Sequence, residues 1–580
     1  MYRYIALLNG LDQMNRDGRF DDMFRQLGLP RKLSSGGIVL YVAKDTPIRT
    51  LTSGGVLIGH VFPREQNVSD GSVDLRHLPA SPKLVECLIE KFWGEYLLIY
   101  PSEDGSDATT VVRDPSGGVD CVYSLRERFI TSDISIATRS GLYRREIDWD
   151  FIRSNALYPH YKAGRTGLAG LRELLPGCQL HLGVGKHAIQ HIWSPWTFVS
   201  PRYRHRDRHE ARDEVRLAVS STVKRWAEAD RSVLLELSGG LDSSIVAACL
   251  QGANARVACC NLVTPVPGAD EQRYASPMAG LLGVELHIET LDFDERHLYF
   301  QPPPHAVAPS TWFLQQAANE LNEVIGTQLG TNSFFSGGGG DTVFCYTRTA
   351  APAADAFRER GAIACIRTIR DLAELHQCTF WKAGRLTLKK LLAPPRPPRK
   401  PDTSFLSTTL VQERLDPHPW FAAPDNALAG DRERIFDLVG TQVFRDGLAR
   451  GAKWPMRMPL LSQPVMEACL KVPSWMWTAD GRNRAIARDA FADVLPPDIL
   501  HRRSKGTFMN YAGAFYRHNK HRIRDYLLTG QLQAHGLLDS DSLQRFFNRE
   551  LTSREDTFMR IFDLCAIENW VRHQTTAEDR

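Results

Sequence analysis

The chain of 580 residues lacks most of the features that assign a protein at a glance. Its 11 cysteines form no CxxC pair and no His/Cys cluster at zinc spacing. That excludes a zinc ribbon and a dithiol redox centre. The thiols scatter from Cys87 to Cys565, several in apolar runs (Cys249, Cys259, Cys260, Cys469), as small buried thiols do in a reducing cytoplasm. No apolar stretch is long enough to span a bilayer, so neither an export signal nor a membrane segment is expected. A strong charge of either sign is missing too: the net charge is +4 and the pI about 8.4, which argues against a dedicated nucleic-acid binder. The phosphate-binding sequence GxxxxGK[ST] is absent. What remains is the composition of a soluble globular protein, 43% hydrophobic and 24% charged, long enough for two to four domains.

The most informative stretch present is Val233 to Leu250, VLLELSGGLDSSIVAACL. Val233, Leu234, Leu235 and Leu237 read as a buried parallel strand and Ile245 to Leu250 as the helix after it. Between them lies Ser238-Gly239-Gly240-Leu241-Asp242-Ser243-Ser244. Two glycines let backbone amides face a ligand, and Ser243 and Ser244 sit at a helix N-terminus, whose partial positive charge suits an anion. The order predicts a phosphate cradle. Asp242 would repel phosphate without a cation between them, so it reads as a Mg²⁺ ligand.

Residues 1 to about 200 hold short alternating segments broken by Gly, Pro, Ser and Asp: GGIVLYVAK, GGVLIGHVF, GEYLLIYPS, ATTVVRDPSGG, SIATRSG and CQLHLG. They predict a mainly β domain with sheet layers. Pro201 to Arg208 is a polar, basic linker. From Glu210 a helical pattern leads into the phosphate strand, followed by a strand over Val257 to Val263, helices over Glu271 to Leu282 and about Thr311 to Ile325, and a strand over Asn332 to Ser336. Strands alternating with helices predict a parallel sheet with its ligand at the carboxyl ends of the strands. The strand ending at Ser336 runs into Gly337-Gly338-Gly339-Gly340-Asp341. Asp341 reads as a helix N-cap on its own; beside Asp242 it reads as the second ligand of a magnesium ion bridging ATP phosphates. Glu236, a charge in an apolar strand, either faces the cleft or is paired within the sheet. Leu391 to Lys400, LLAPPRPPRK, reads as a solvated linker, with a contact surface for an acidic peptide as the sharper alternative.

Two sets of residues carry a resemblance to the asparagine synthetase family. Phe92-Trp93-Gly94-Glu95-Tyr96, Val112 to Gly117 and Leu174-Leu175-Pro176-Gly177 are similar to its N-terminal glutamine hydrolase domain, a four-layered αββα fold. That hydrolase needs a cysteine after the initiator methionine, whose own amine is the base; here position 2 is Tyr2, and Ile58-Gly59-His60-Val61-Phe62 stands where the glutamine-holding Asn-Gly-Glu falls. The resemblance therefore implies an Ntn-hydrolase-like domain over 1–200 that keeps the scaffold without the reaction. The two glycine loops resemble the family's ATP pyrophosphatase half, an α/β parallel-sheet synthetase domain over 209–580 with a helical C-terminal part. By that likeness 238 to 244 grips pyrophosphate, and Leu237, Asn261, Ser336 and Gly337 contact adenosine. Arg484 and Lys505, in GRNRAIAR and RRSKG, match the basic residues that reach the phosphates, with Lys505 aimed at charge developing on the intermediate or on departing pyrophosphate.

Members of this family adenylate a carboxylate with ATP, release pyrophosphate, and let an amine displace AMP. Ammonia is not expected here, which leaves synthetases whose substrate brings its own amine. β-Lactam synthetases place a tyrosine, and asparagine synthetases a glutamate, three residues before the second aspartate; this chain has Gly338. A peptide α-amine, with a pKa of about 7.7–8.0, needs little base assistance. GGGGD, PLLSQPVMEACLKVP and RRSKG resemble lasso peptide macrolactam cyclases. The resemblance implies a cytoplasmic ligase using ATP and Mg²⁺ on a precursor peptide, with a leader-binding protein and a leader peptidase as partners, and neither nucleic acid nor membrane. β-Lactam-like closure of a small amino acid derivative and glutamine-independent asparagine synthesis are the alternatives within the family. A sulfur-inserting tRNA enzyme and a non-catalytic binding module are the alternatives outside it.

Overall fold

The computed structural model describes residues 2–8, 19–35, 38–52, 54–65, 83–101, 108–183, 186–266, 271–299, 301–310, 315–395, 398–408, 415–446, 453–503, 509–552 and 555–576. In the first 200 residues the central strands (YIAL, IVLYV, VLIGHVFP and FWGEYLLIYP) are apolar at nearly every position, which requires burial on both faces, while edge strands such as RKLSS and KHAIQH are polar. The strands are β1 (Tyr4–Leu7), β2 (Arg31–Ser35), β3 (Ile38–Val42), β4 (Ile48–Thr50), β5 (Val56–Pro63), β6 (Phe92–Pro101), β7 (Thr109–Arg113), β8 (Val122–Ser124), β9 (Phe129–Thr131), β10 (Arg172–Glu173), β11 (Cys178–Gly183) and β12 (Lys186–His191). Two antiparallel six-stranded sheets result, in the orders β10-β8-β9-β1-β3-β2 and β12-β11-β7-β6-β5-β4. The helices that pack on these sheets include α1 (Arg19–Gln26), α2 (Lys83–Lys91), α3 (Ile134–Arg139) and α4 (Trp149–Leu157).

Side-chain parity decides the layering. Tyr4, Ala6 and Leu40 of the first sheet pack on Ile58, Leu97 and Ile99 of the second. Their neighbours point the other way: Ile5 and Tyr41 share a core with Phe24 of α1, Ile136 of α3 and Ile152 of α4, and Leu57 and Leu98 pack on Leu84 and Leu88 of α2. The order of layers is helix, sheet, sheet, helix. One expected strand is corrected here. SIATRSG alternates, yet it lies in α3, because Asp133 caps a helix by accepting from the Ser135 amide at 2.9 Å.

The remaining chain runs α5 (Arg208–Asp230), β13 (Ser232–Glu236), α6 (Leu241–Leu250), β14 (Arg256–Val263), α7 (Gln272–Leu282), β15 (Leu286–Thr290), α8 (Gln316–Leu329), β16 (Ser333–Ser336) and α9 (Gly340–Val343). A helical layer follows: α10 (Ala351–Arg360), α11 (Ala362–Leu375), α12 (Phe380–Leu392) and α13 (Ala429–Asp446). Later elements include β17 (Met456–Arg457), α14 (Gln463–Lys471), α15 (Ala485–Ala490), α16 (Met509–Leu528) and α17 (Phe558–Thr576). The five strands form one parallel sheet, β15-β14-β13-β16-β17. The helix expected over 311–325 is displaced toward its C-terminus: α8 ends only at Gly330, left-handed at φ 60°, and 311–314 lie outside the described residues. No described helix is long and apolar enough to cross a membrane.

Charged groups tie the two parts together. Arg457, on the edge strand β17, donates to Asp230 at 2.9 and 3.0 Å, pairs with Glu95 and donates to the Tyr2 hydroxyl at 2.8 Å. Nearby, Asp114 accepts from the Tyr96 amide at 3.0 Å and the Gly117 amide at 2.8 Å. Burial pushes its carboxyl up to about 7. An unfolded aspartate loses its proton near pH 4. Between pH 4 and 7 the folded state therefore holds the extra proton, and this contribution to stability is lost as pH rises. In urea titrations, wild type should lose stability relative to Asp114→Asn by up to about 1.4 kcal/mol per pH unit across that window. Parallel curves would show that Asp114 titrates normally.

Candidate active site

β13 and β16 are neighbours in register, with Glu236 opposite Ser336, so the loops after them leave the sheet at the same edge, where chain order reverses. The loops touch. A Cβ on Gly337 would lie 2.5 Å from the Ser243 amide nitrogen, and one on Gly340 would lie 2.4 Å from Cγ of Asp242. Glycine at these two positions is what allows the second loop to pack on the first.

Their contact brings the two predicted carboxylates together around one cation. Nη1 of Arg484 donates to Asp242 Oδ1 and Oδ2 at 2.9 and 3.1 Å and to Asp341 Oδ1 at 3.0 Å. Arg484 precedes α15 in a left-handed conformation, φ 56° and ψ 39°, is buried, and its guanidinium lies 5.3 Å from the Tyr346 ring centroid. Two acidic side chains that converge on a single nitrogen are also within reach of a single metal ion.

A cavity of about 740 Å³ opens over this pair, lined by Leu237, Ser238, Ser243, Asn261, Ser336 and Gly337. Its size suits a small-molecule ligand. Glu236, at the end of β13, lines it as well. Ser238 Oγ and Ser243 Oγ are 3.0 Å apart. Asn261 is fixed by Nδ2 donating to the Leu237 carbonyl at 2.7 Å, while its buried Oδ1 accepts from no described residue. A buried acceptor without a donor costs about 1–3 kcal/mol, and on a cavity wall it is open to a donor from a ligand or a water molecule. Two predicted residues fall elsewhere. Ser244 is completely buried behind the loop, and Gly239 offers its carbonyl to Arg502 at 3.2 Å.

Arg502 is a part the sequence reading missed. It forms a two-point pair with Glu271 at 2.6 and 2.7 Å, lies 3.9 Å from the Tyr274 ring centroid, and so pins the first loop from the α7 side. Arg488, also on the cavity wall, is held by the Asn483 and Arg502 carbonyls at 2.9 and 3.0 Å. Burial, with Arg484 beside it, lowers its pKa to about 10. No pattern in the chain distinguished these arginines from surface cations. Lys505 lies outside the described residues.

At position 338 a Cβ would meet Met458 Sδ and Phe444 Cε1, both at 3.0 Å, so a side chain there would have to push these two neighbours aside. Beyond Asp341 the cavity adjoins a second one of about 750 Å³, and Thr342, Tyr346, Arg348 and Asp437 line both. In the β-sheet part, Tyr2 is buried, donates to Glu95 Oε2 at 3.3 Å and accepts from Arg457. Burial raises its phenol well above the ordinary value. His60 on β5 is pushed down to about 4, first by burial and then by Arg457.

Compared with known families, residues 214–572 match the model of the Asparagine synthase family, which is more than half of the chain. No curated protein matches the sequence.

Proposed function

The chain belongs to the asparagine synthase family, whose members form carbon–nitrogen bonds with ATP, and from that premise we propose that it closes the macrolactam ring of a lasso peptide. A side-chain carboxylate of an Asp or Glu in the core peptide attacks the α-phosphorus of ATP and pyrophosphate leaves. The peptide's N-terminal amine then attacks the acyl carbon, and AMP leaves with the formation of an amide. Asp242 and Asp341 would hold Mg²⁺, which when bound draws charge from the triphosphate. Ser238, Gly239, Gly240, Ser243 and Ser244 belong to the loop that would receive pyrophosphate, and Arg484 and Lys505 would balance its charge. Asn261, with its unsatisfied acceptor, suits the exocyclic amine of adenine, beside Leu237, Ser336 and Gly337.

Residues 209–580 are assigned to this chemistry and 1–200 to a glutaminase-type scaffold without its nucleophile. The Tyr2, Glu95 and Arg457 cluster supports that assignment, because hydrolysis of glutamine needs a thiol and a neutral amine where these buried, mutually paired groups stand. With no ammonia source and no base at Gly338, the amine has to arrive on the substrate and be partly neutral already. The observation that carries the reading is the second cavity: the nucleotide accounts for one space of about 740 Å³, and a further 750 Å³ adjoins it, which suits a folded peptide better than a single amino acid. A leader-binding protein and a leader peptidase are the partners this reaction calls for.

The test is mass spectrometry on a precursor peptide incubated with its peptidase, ATP, Mg²⁺ and this protein. The expected product has lost one water, resists carboxypeptidase, and appears with one AMP and one pyrophosphate per ring. Release of ADP, or turnover of free aspartate or a small β-amino acid in place of the peptide, would sink the proposal.

A further inference from the structure

α10, α11 and α12 make a thin unit around Ala353, Cys365, Ile369, Leu372, Ala373 and Ala383, and their outer surface is unlike the rest of the molecule. Large apolar side chains stand in water there: Trp381 is 82% exposed, Leu392 76% and Ile363 70%. The same region is strongly basic. Residues 351–400 contain eleven lysines and arginines against four aspartates and glutamates, a surplus larger than the net charge of the whole chain. Of the four acids, Asp355 is buried, Glu359 pairs with Arg204 at 3.0 Å, and Glu374 pairs with Arg503 at 3.1 Å.

On α12 the two properties are ordered. Trp381, Arg385, Leu388 and Leu392 follow at helical spacing along one exposed stripe, with Lys382, Leu386 and Lys389 along the next. The second stripe runs to the mouth of the second cavity, which Leu386, Lys389, Pro394 and Pro395 line. Tyr346 and Arg348 line both that cavity and the one over Asp242. An apolar, basic surface is thus continuous with the catalytic space, and the proline-rich segment borders it.

The geometry points to a docking tract on the outer face of α12 for an acidic, apolar segment of the peptide substrate, away from the residues that react. This rests on the cyclase reading and gives it a substrate class: a polypeptide whose carboxylates meet Lys382, Arg385 and Lys389 while its apolar side chains cover Trp381 and Leu388. Charge complementarity and the continuity with the cavity select this occupant. An exposed apolar face of this kind marks an interaction site, and its basic flanks add an attraction that salt weakens.

The test is fluorescence anisotropy with the full chain and a fluorescein-labelled synthetic peptide of Glu, Leu and Phe, set against its isomer with Lys for Glu. The acidic peptide should bind, with salt-sensitive affinity, and the basic isomer should not. Lys382→Glu/Lys389→Glu and Trp381→Ser/Leu388→Ser should each weaken binding about tenfold or more. All four positions are exposed, so both variants should melt with wild type. Equal binding to variants and wild type, equal binding of the basic isomer, self-association through this face, or a preference for phosphatidylglycerol vesicles over the peptide would each overturn the proposal. ATP–pyrophosphate exchange with the precursor peptide separates this from the chemistry. Exchange with the same KM in the α12 variants removes the tract and leaves the cyclase. Binding through α12 with no exchange in wild type removes the cyclase and leaves the tract.

Discussion

Asp242→Asn is expected to abolish peptide-dependent ATP–pyrophosphate exchange, lowering it by at least about a hundredfold, while the protein stays folded. The substitution is nearly isosteric, so the contact with Gly340 is preserved. What changes is charge. Asp242 gives both oxygens to Arg484, and in the proposed reaction the same carboxylate would hold Mg²⁺. An amide offers one oxygen and no charge, and its nitrogen turns a donor toward a guanidinium that is itself a donor. Asp341→Asn should act in the same direction, since it shares the nitrogen of Arg484. Lys505→Ala should slow the reaction while ATP still binds, because its proposed role is on charge that develops during the reaction. Exchange at the wild-type rate in any of the three would remove that residue from the mechanism. A loss of folding, read by circular dichroism, would reassign it to structure.

How much of this was legible in the sequence depends on how local each determinant is. The strand, loop and helix over 232–250 are encoded by neighbours: the strand falls within a residue of its expected bounds, while the helix begins at Leu241, four residues before the expected Ile245, because the Asp242-Ser243-Ser244 segment forms its first turn. The convergence of Asp242 and Asp341 was legible because each opens the helix that follows one of two neighbouring strands, and parallel strands align their ends. The Ser244 side chain turns away from the cavity for a simple reason of phase. Each helical residue turns the side chain by about 100°, so Ser243 faces the cavity and Ser244 turns into the core. SIATRSG was misread because alternation over five residues does not outweigh an aspartate cap, a signal that depends on one side chain preceding the segment. Arg502 was not legible at all. Its partner Glu271 lies far away in sequence, and nothing local distinguishes it from the arginine that follows. The fifth strand, Met456–Arg457, is two residues long and has no period to detect.

Arg457→Ala is expected to destabilise the protein by about 3–5 kcal/mol in urea unfolding, more than any surface substitution. The side chain is 2% exposed and meets Asp230, Glu95 and Tyr2, while its guanidinium lies 4.0 Å from the ring centroid of Trp226. Burial is the largest single effect on its pKa and lowers it, but Asp230, Tyr2 and Glu95 together outweigh burial and hold the pKa well above the ordinary value. Removing the cation leaves two carboxylates in a region of low dielectric without the guanidinium they are paired with, the circumstance in which a broken buried pair costs most. Lost volume is a smaller part, and two further variants separate the causes. Arg457→Met keeps most of the packing and should be nearly as unstable as alanine. Adding Glu95→Gln to Arg457→Met should recover part of the loss, because one of the stranded charges is gone. The pH dependence follows from the same argument. In Arg457→Ala the folded-state pKa of the stranded carboxylates rises above the unfolded value, so stability is lost as pH increases through that interval, and the gap to wild type should be narrower at pH 5 than at pH 8. A gap that stays constant with pH, or one that Glu95→Gln fails to narrow, would mean that packing of Arg457 against Trp226, and not its charge, joins the β-sheet part to the synthetase part.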